Sequence, residues 1–139
     1  MDLSINLEIL NENEVEITNI NEIKKVDTEY TYDSRLDIIR IEVKEKYKSK
    51  ESIELESGIY LDFDENYFPV NLEINDASKR IEVDEKFLTK PSGNVKIVID
   101  KESIYVEVTF KNNNRYEFLN LDTIGEDYLP NIKTDFAIV

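Results

Sequence analysis

Four oxygen-bearing side chains in the middle of the chain have the spacing of a calcium-binding loop. They occupy the first, third, fifth and twelfth positions of the loop and are Asp62, Asp64, Asn66 and Glu73. The sixth position of that motif needs glycine for its sharp turn, but the chain has Tyr67 there. Residues 68–74 also alternate between apolar and polar side chains, as a strand does, where a loop should wrap the ion. We therefore favour an ordinary hairpin turn over residues 64–66, with metal binding as the alternative.

The same carboxylates could instead serve as a catalytic acid and base. Asp62 and Asp64 share one face of the predicted strand, and Glu73 would lie across the hairpin, so the three groups could divide these roles. Thirty-one acidic residues among 139 make such proximity common by chance. The chain has no histidine and no cysteine, which removes the usual proton shuttle, the thiolate nucleophile and most zinc ligands. We expect a protein that is not an enzyme and that needs no cofactor.

The charge of the chain points to a different kind of function. Thirty-one acidic residues face seventeen basic ones, for a net charge of −14. Residues 1–70 hold eighteen acids and eight bases, whereas residues 71–139 hold thirteen and nine. Such a surface repels nucleic acid and attracts basic proteins. The leading hypothesis is a non-enzymatic acidic binding protein, an inhibitor, antitoxin-like or immunity-like partner of a basic protein, because complementary charge speeds association.

Two alternatives stay open beside this hypothesis. The first is a soluble β domain of purely structural role, whose acidity serves only solubility. The second is a carboxylate-based divalent-metal-binding protein or hydrolase. A homodimer is compatible with each of them. No apolar run approaches the roughly 18 residues that cross a bilayer, and residues 1–10 lack the pattern of a signal peptide, so we expect no membrane contact and a cytoplasmic location.

Six residues are the predicted contacts with a basic partner. Three are acidic residues near the N-terminus, and three are tyrosines on the polar side of a strand or at a hairpin tip. They are Glu12, Glu14, Glu16, Tyr60, Tyr67 and Tyr105. Aromatic rings anchor many protein interfaces, although tyrosine is also simply a good strand residue. For Tyr67, the position at a hairpin tip predicts an exposed ring.

The elements that would carry these residues are mainly strands. Alternation with a period of two predicts a mainly β protein of the α+β class, with an antiparallel sheet of hairpins and meanders and one or two short helices. We expect one domain over residues 1–139. Its first meander and a short helix would span residues 28–90, and its second meander residues 94–130. Residues 3–9 and 14–18 predict an additional N-terminal hairpin.

Within the first meander, turn-forming residues separate the predicted strands. A turn over residues 33–35 leads into a strand that alternates from Ile39 and that, if it continued to Lys50, would carry a row of lysines. Gly58 opens a hairpin, and Pro69 predicts an edge or a bulge in its return strand, because proline has no N–H to donate.

Short helices and further turns are predicted around and within the second meander. Asn75 and Asp76 could cap a helix that runs to Arg80, and residues 84–88 could form another helical turn. Residues 91–94 have the composition of a turn, Pro-Ser-Gly-Asn. The other predictions are hairpin turns at residues 100–102 and 112–114, a helix over 123–128 capped by Asp122, and an apolar tail at 136–139 that forms a last strand or packs on the core.

The two meanders also share an arrangement of aspartates. Asp33 and Asp100 each precede an alternating strand, and Asp76 and Asp122 each follow a return strand. One interpretation is a degenerate internal duplication. The other is that hairpins with aspartate turns resemble each other for purely physical reasons.

A set of residues in the first meander resembles a known family. The set comprises Tyr32-Asp33, Asp37, Ile41, Gly58-Ile59, Leu61-Asp62-Phe63-Asp64, Leu72-Glu73-Ile74 and Asp76-Ala77-Ser78-Lys79. Over about residues 28–80 it is similar to the uncharacterised family called domain of unknown function 2283. At the hairpin tip, Glu65-Asn66 stands where the family usually has Asp-Gly. The resemblance implies a small mixed β fold with a short helix, and no established activity.

Overall fold

A computed structural model of the chain describes residues 23–138, which form nine strands and two short helices. The helices are α1 Ala77–Ile81 and α2 Glu85–Thr89. The strands are β1 Lys24–Asp33, β2 Ile38–Val43, β3 Ser49–Glu56, β4 Ile59–Asp64, β5 Pro69–Asn75, β6 Ser92–Ile99, β7 Ser103–Asn112, β8 Arg115–Ile124 and β9 Ile132–Ile138. All nine strands belong to one sheet, in the order β3-β4-β5-β2-β1-β9-β6-β7-β8. The mainly β prediction with two short helices is confirmed.

The sheet is mixed, which corrects the expectation of a purely antiparallel one. Strand β9 runs antiparallel to β6 and parallel to β1, while the other strand pairs are antiparallel. The tail of the chain thus joins the two meanders, since β9 is the only strand that pairs with both β1 and β6 within the described part of the chain. The prediction of a last strand in the tail is confirmed.

The sheet curls until its two edge strands nearly close a barrel. At the seam, the Thr123 hydroxyl of β8 donates a hydrogen bond of 2.7 Å to the carbonyl oxygen of Leu55 in β3. The Tyr128 hydroxyl, in the connection after β8, donates to the carboxylate of Glu51, also in β3. Side chains therefore bridge the two edges and shield them from pairing with other chains.

Removing the hydroxyl at this seam gives a first testable prediction. In the variant Thr123→Val, the free energy of unfolding should fall by about 1 kcal/mol, because the Leu55 carbonyl loses its donor while the side chain keeps its shape. Urea denaturation followed by circular dichroism measures this loss. Thr109→Val, on the outward face of the neighbouring strand β7, is the matched control and should change stability by less than half as much. Equal losses in the two variants would contradict a role of Thr123 in closing the sheet.

Inward side chains from every strand form the core. The largest fully buried ones include Phe63, Phe110 and Phe136. The two helices cover this core with their buried residues Ala77, Ile81, Phe87 and Leu88. The Tyr30 hydroxyl donates to the carbonyl oxygen of Leu88 at 2.6 Å, which ties β1 to α2. Burial raises the pKa of Tyr30, so this phenol stays protonated and remains a donor.

Helix α1 forms where the sequence predicts it, but a different aspartate caps it. Asp76 stands at the cap position with a left-handed φ of 54° and makes no side-chain cap bond. The cap comes from Asp37, whose carboxylate accepts the Ser78 N–H at 3.0 Å, the Ser78 hydroxyl at 2.8 Å and the Tyr32 hydroxyl at 2.7 Å. Sequence proximity suggested Asp76, whereas the fold brings Asp37 to the helix from the β1–β2 turn. Helix α2 is confirmed, with the Asp84 carboxylate accepting the Phe87 N–H at 2.9 Å.

The turns predicted from aspartate positions are confirmed in both meanders. Asp33 accepts hydrogen bonds from the N–H groups of Arg35 and Leu36. Asp100 does the same for the N–H groups of Glu102 and Ser103. The second pair of aspartates behaves differently, because Asp76 precedes a helix and Asp122 lies inside β8. The prediction of a helix over residues 123–128 is therefore wrong. The internal duplication remains a prediction.

Three further boundaries differ from the expectation. The strand that begins at Ile38 ends at Val43, so the row of lysines to Lys50 does not form. A separate strand, β3, begins at Ser49 and pairs with β4. Residues 91–94 do not form a turn, because β6 already begins at Ser92. The predicted hairpin at residues 3–9 and 14–18 lies outside the described residues.

The hairpin of β4 and β5 follows the sequence closely. Its turn is held by Asp64, whose carboxylate accepts the N–H groups of Asn66 and Phe68 at 2.9 Å each. The register shifts between Asp62 and Phe63, and Phe63 is paired with Pro69, which confirms the predicted bulge. Neither α1 nor α2 is long and apolar enough to cross a membrane, and the described residues contain no other helix.

Candidate functional site: an acidic sheet face

Ten outward-facing residues of neighbouring strands form what we call the acidic face. Buried residues such as Ile41, Leu61 and Leu72 point into the core, so their chain neighbours point outwards. Cross-strand pairing arranges these neighbours in two adjacent rows across β3, β4, β5, β2 and β1. The upper row is Glu54, Tyr60, Glu73, Arg40 and Thr31, and the lower row is Ser52, Asp62, Asn71, Glu42 and Glu29. Five carboxylates and one guanidinium thus share this surface.

Tyr60 lies near the centre of the upper row. Its cross-strand partners are Glu54 on one side and Glu73 on the other. The charge of Glu54 and a hydrogen bond to its carboxylate raise the pKa of Tyr60. Arg40 is held by Glu73, with 2.8 Å between Nη2 and Oε1. The phenol is therefore a protonated donor within a negative potential, where an approaching cation would meet both a ring and carboxylates.

Asn71 is the least exposed member of the acidic face. It retains only 2% of its surface, although it lies on the outer side of the sheet. Its Nδ2 donates to Oδ2 of Asp62 at 2.9 Å, and its other cross-strand partner is Glu42. Its Oδ1 has no hydrogen-bond partner among the described residues. A buried amide oxygen next to two carboxylates is costly unless a positive or hydrogen-donating group reaches it.

Tyr47 extends over this part of the lower row from the connection between β2 and β3. Its hydroxyl donates to Oε2 of Glu42. Burial, together with the hydrogen bond to Glu42 and the charges of Glu42 and Asp62, raises the pKa of Tyr47 to about 12. The ring is half-buried and also lines a neighbouring cavity of about 300 Å³. Tyr47 thus orients the carboxylate of Glu42.

The other half of the sheet presents a different surface. In the outward positions of β6 to β9, three lysines are balanced by three carboxylates, namely Lys96, Lys111, Lys133, Glu107, Asp122 and Asp135. Exposed aromatic side chains lie here, with Tyr116 at 53% and Phe118 at 59% exposure. The negative charge of the sheet is therefore concentrated on the acidic face.

The structure gives separate structural roles to the residues predicted as alternative metal ligands. Asp64 holds the hairpin turn, Asn66 lies in that turn, Glu73 pairs with Arg40, and Asp62 accepts from Asn71. No group of three or more carboxylates within residues 23–138 is placed to hold a metal ion. The predicted hairpin turn is therefore present, and metal binding by these four residues remains a prediction.

The predicted interface residues fall in different places. Tyr60 lies within the acidic face, whereas Tyr105 lies on the opposite half, paired with Asp122 of β8. Tyr67 is half-buried rather than exposed, since its ring packs 5.1 Å from that of Tyr128. The three predicted acidic contacts, Glu12, Glu14 and Glu16, lie outside the described residues.

Sequence reasoning did not find Glu42, Asn71 and Tyr47 as members of one cluster. Asn71 stands at a polar position of an alternating strand, which looks like any solvated residue in the sequence. The available signal was the strongly apolar pair Val70 and Leu72, which is typical of a central strand. Only the register of three adjacent strands shows that Asn71 is flanked by carboxylates.

The fold and the site define a mainly β protein with an acidic outer face. The family described as a protein of unknown function, DUF2283, matches residues 29–78. This match confirms the resemblance and runs from β1 to the beginning of α1, so it includes Asp37 and Ser78. No curated protein and no solved structure matches the chain.

Proposed function

We propose that this protein is a non-enzymatic binding protein whose acidic face docks onto a basic protein, in the manner of an inhibitor, antitoxin or immunity protein. The observation that carries the proposal is the composition of that face, where ten adjacent outward positions hold five carboxylates and one guanidinium. Complementary charge on a partner would steer the encounter and raise the association rate.

The contacts within the acidic face support docking over a purely solubilising role. Charges that serve only solubility are usually interspersed with charges of the opposite sign, as they are on the outward surface of β6 to β9. In the acidic face the single guanidinium, Arg40, is already paired with Glu73. Tyr60 is flanked by Glu54 and Glu73, and an amphipathic ring amid charges is the composition of an interface anchor.

Exchange of charge on this face tests the proposal. In the variant Glu29→Lys/Glu54→Lys, two carboxylates at opposite ends of the face are reversed; both are exposed, so the fold should tolerate the change. We expect the tagged wild-type chain to capture a basic protein from its native lysate at low salt and to release it as salt rises. The double variant should retain less than about a tenth of it, since each reversed rim charge lowers the association rate.

The matched control changes the net charge by the same amount elsewhere. Glu102→Lys/Glu107→Lys reverses the exposed carboxylate of Glu102 in the β6–β7 turn and the half-buried carboxylate of Glu107 on the outer side of β7. Strand β8 on one side and strands β6 and β9 on the other separate β7 from the acidic face. This variant should capture the same protein as the wild type. Equal loss in both double variants, or capture of no protein by the wild type, would show that the face is not a docking surface.

A further inference from the structure

We propose that the cavity of about 300 Å³ beside Tyr47 binds a small molecule with an apolar body and a carboxylate head. Small-molecule sites are concave and mostly apolar with a few polar groups, and the mouth of a β-barrel is one of their preferred places. None of the ten residues of the acidic face lines this cavity. The inference therefore goes beyond the proposed docking function and does not depend on it.

The cavity lies at one end of the sheet, where β1 and β5 begin and β2 ends. These three ends lie together because β1 and β5 are each antiparallel to β2 and are paired with it on opposite sides. The connection between β2 and β3 and the turn between β4 and β5 border the same space. The cavity is thus a pocket at the mouth of the nearly closed barrel.

Four apolar side chains form one part of its lining, namely Val26, Val43, Phe68 and Val70. Val43 and Val70 stand two positions from the buried Ile41 and Leu72, so they point to the same inner side of the sheet. Val70 is buried, whereas Val26, Val43 and Phe68 are half-buried. An apolar group of a ligand would shield this wall from water, which is favourable.

The charged side chains of the lining indicate the head group. Nζ of Lys24 lies 4.6 Å from the centre of the Phe68 ring, so an ammonium group stands at the border of the apolar wall. Lys46 lines the cavity as well. Of the two carboxylates in the lining, Glu45 is exposed, and Asp64 already accepts the N–H groups of the β4–β5 turn. A carboxylate at Lys24 would therefore complete the site.

The segments around the cavity carry a local surplus of positive charge. Residues 24–27 and 44–50 hold six lysines and two carboxylates, whereas the whole chain has a net charge of −14. All six lysines are exposed. Those of residues 44–50 do not extend β2 as a lysine row but lie in the connection to β3 and at its start. Such a cluster raises the local concentration of an anion.

Three compounds with the same body test the proposal, namely 4-phenylbutanoate, 4-phenylbutan-1-ol and 4-phenylbutan-1-amine. Isothermal titration calorimetry of the full-length chain is the readout. We expect saturable binding of the carboxylate with a dissociation constant of about 1 mM or lower. The alcohol should bind at least about fivefold more weakly, because it keeps the body and loses the charge-assisted contact. The amine should bind most weakly.

Two variants separate the head group from the body. Lys24→Met should weaken binding of the carboxylate at least about fivefold and leave the alcohol within about twofold, since only the ammonium is lost. Val26→Phe should weaken both compounds, because the larger side chain occupies part of the cavity. Lys24 is exposed, so its variant should fold, and thermal unfolding checks both proteins.

Lys25→Met is the matched control. Lys25 follows Lys24 on the opposite side of β1 and does not line the cavity, so the carboxylate should bind within about twofold of the wild type. The proposal is wrong if the carboxylate does not saturate, or if the amine binds as tightly. It is also wrong if Lys25→Met weakens binding as much as Lys24→Met, because the anion would then be attracted only by diffuse charge. Each of these results would leave capture of a basic protein unaffected.

Discussion

Replacement of Asp37 by alanine is expected to lower the free energy of unfolding by roughly 3 kcal/mol. The carboxylate accepts hydrogen bonds from the Tyr32 hydroxyl and from both the N–H and the hydroxyl of Ser78. Loss of a helix cap costs about 1 kcal/mol, and the half-buried Tyr32 and Ser78 donors would also lose a charged acceptor. Urea denaturation monitored by circular dichroism measures the change.

A neighbouring aspartate supplies the control for this prediction. Asp33 precedes the same turn and accepts hydrogen bonds from the N–H groups of Arg35 and Leu36, both of which are exposed. Asp33→Ala should therefore cost about 1 kcal/mol. If the two variants lose the same stability, Asp37 does not join the β1–β2 turn to α1 in the way described.

The stability that Asp37 provides should depend on pH. Burial acts to raise the pKa of this carboxyl, but the hydrogen bonds from Tyr32 and Ser78 and the charge of Lys79 outweigh it and lower the pKa. A depressed pKa in the folded state means that the stabilisation is present above the pKa of the unfolded chain and is lost as the pH falls through the folded value. The difference in stability between wild type and Asp37→Ala should thus shrink as the pH falls below about 3.9.

Replacement of Gly93 by alanine is the second change with a large expected effect. Gly93 lies inside β6, between β7 and β9, with a φ of 145°. A Cβ atom there would stand 1.9 Å from the carbonyl oxygen of Thr109, which is backbone and cannot move aside. The strands would have to separate, so we expect a loss of roughly 3 kcal/mol in the free energy of unfolding.

The neighbouring residue tests whether this effect is local. Ser92 is exposed and begins the same strand, so Ser92→Ala should change stability by less than about 0.5 kcal/mol. Thermal unfolding of both variants measures the difference. A Gly93→Ala variant as stable as the wild type would show that β6 does not approach β7 as closely as described.

Much of the sheet could be predicted from the sequence because its information is local. Alternation identified the strands β4 to β8, and turn residues such as Asp33, Asp64 and Asp100 marked the reversals. Strand β3 was missed because it is rich in glutamate and serine, which gives it a weak apolar pattern. The parallel pairing of β9 with β1 could not be predicted, since it joins residues more than a hundred positions apart.

The candidate site was less predictable than the fold, because contacts between residues distant in sequence leave no local pattern. Tyr60 was found because it stands on the polar side of its own strand, which is a local property. The capping of α1 by Asp37 and the clustering of Glu42, Asp62 and Asn71 depend on the order and register of strands. The segment that the family model matches, residues 29–78, contains Asp37 and both of its partners, Tyr32 and Ser78. A part of the residue pattern of the family therefore stabilises the fold.

The association rate of the captured basic protein is the measurement that tests the acidic face most directly. It should be determined by stopped-flow mixing with the wild type, with Glu29→Lys/Glu54→Lys and with Glu102→Lys/Glu107→Lys, each at low and at high salt. We expect the first double variant to associate at least about tenfold more slowly at low salt, with the three rates converging at high salt. Equal rates for the two double variants at low salt would contradict docking through this face.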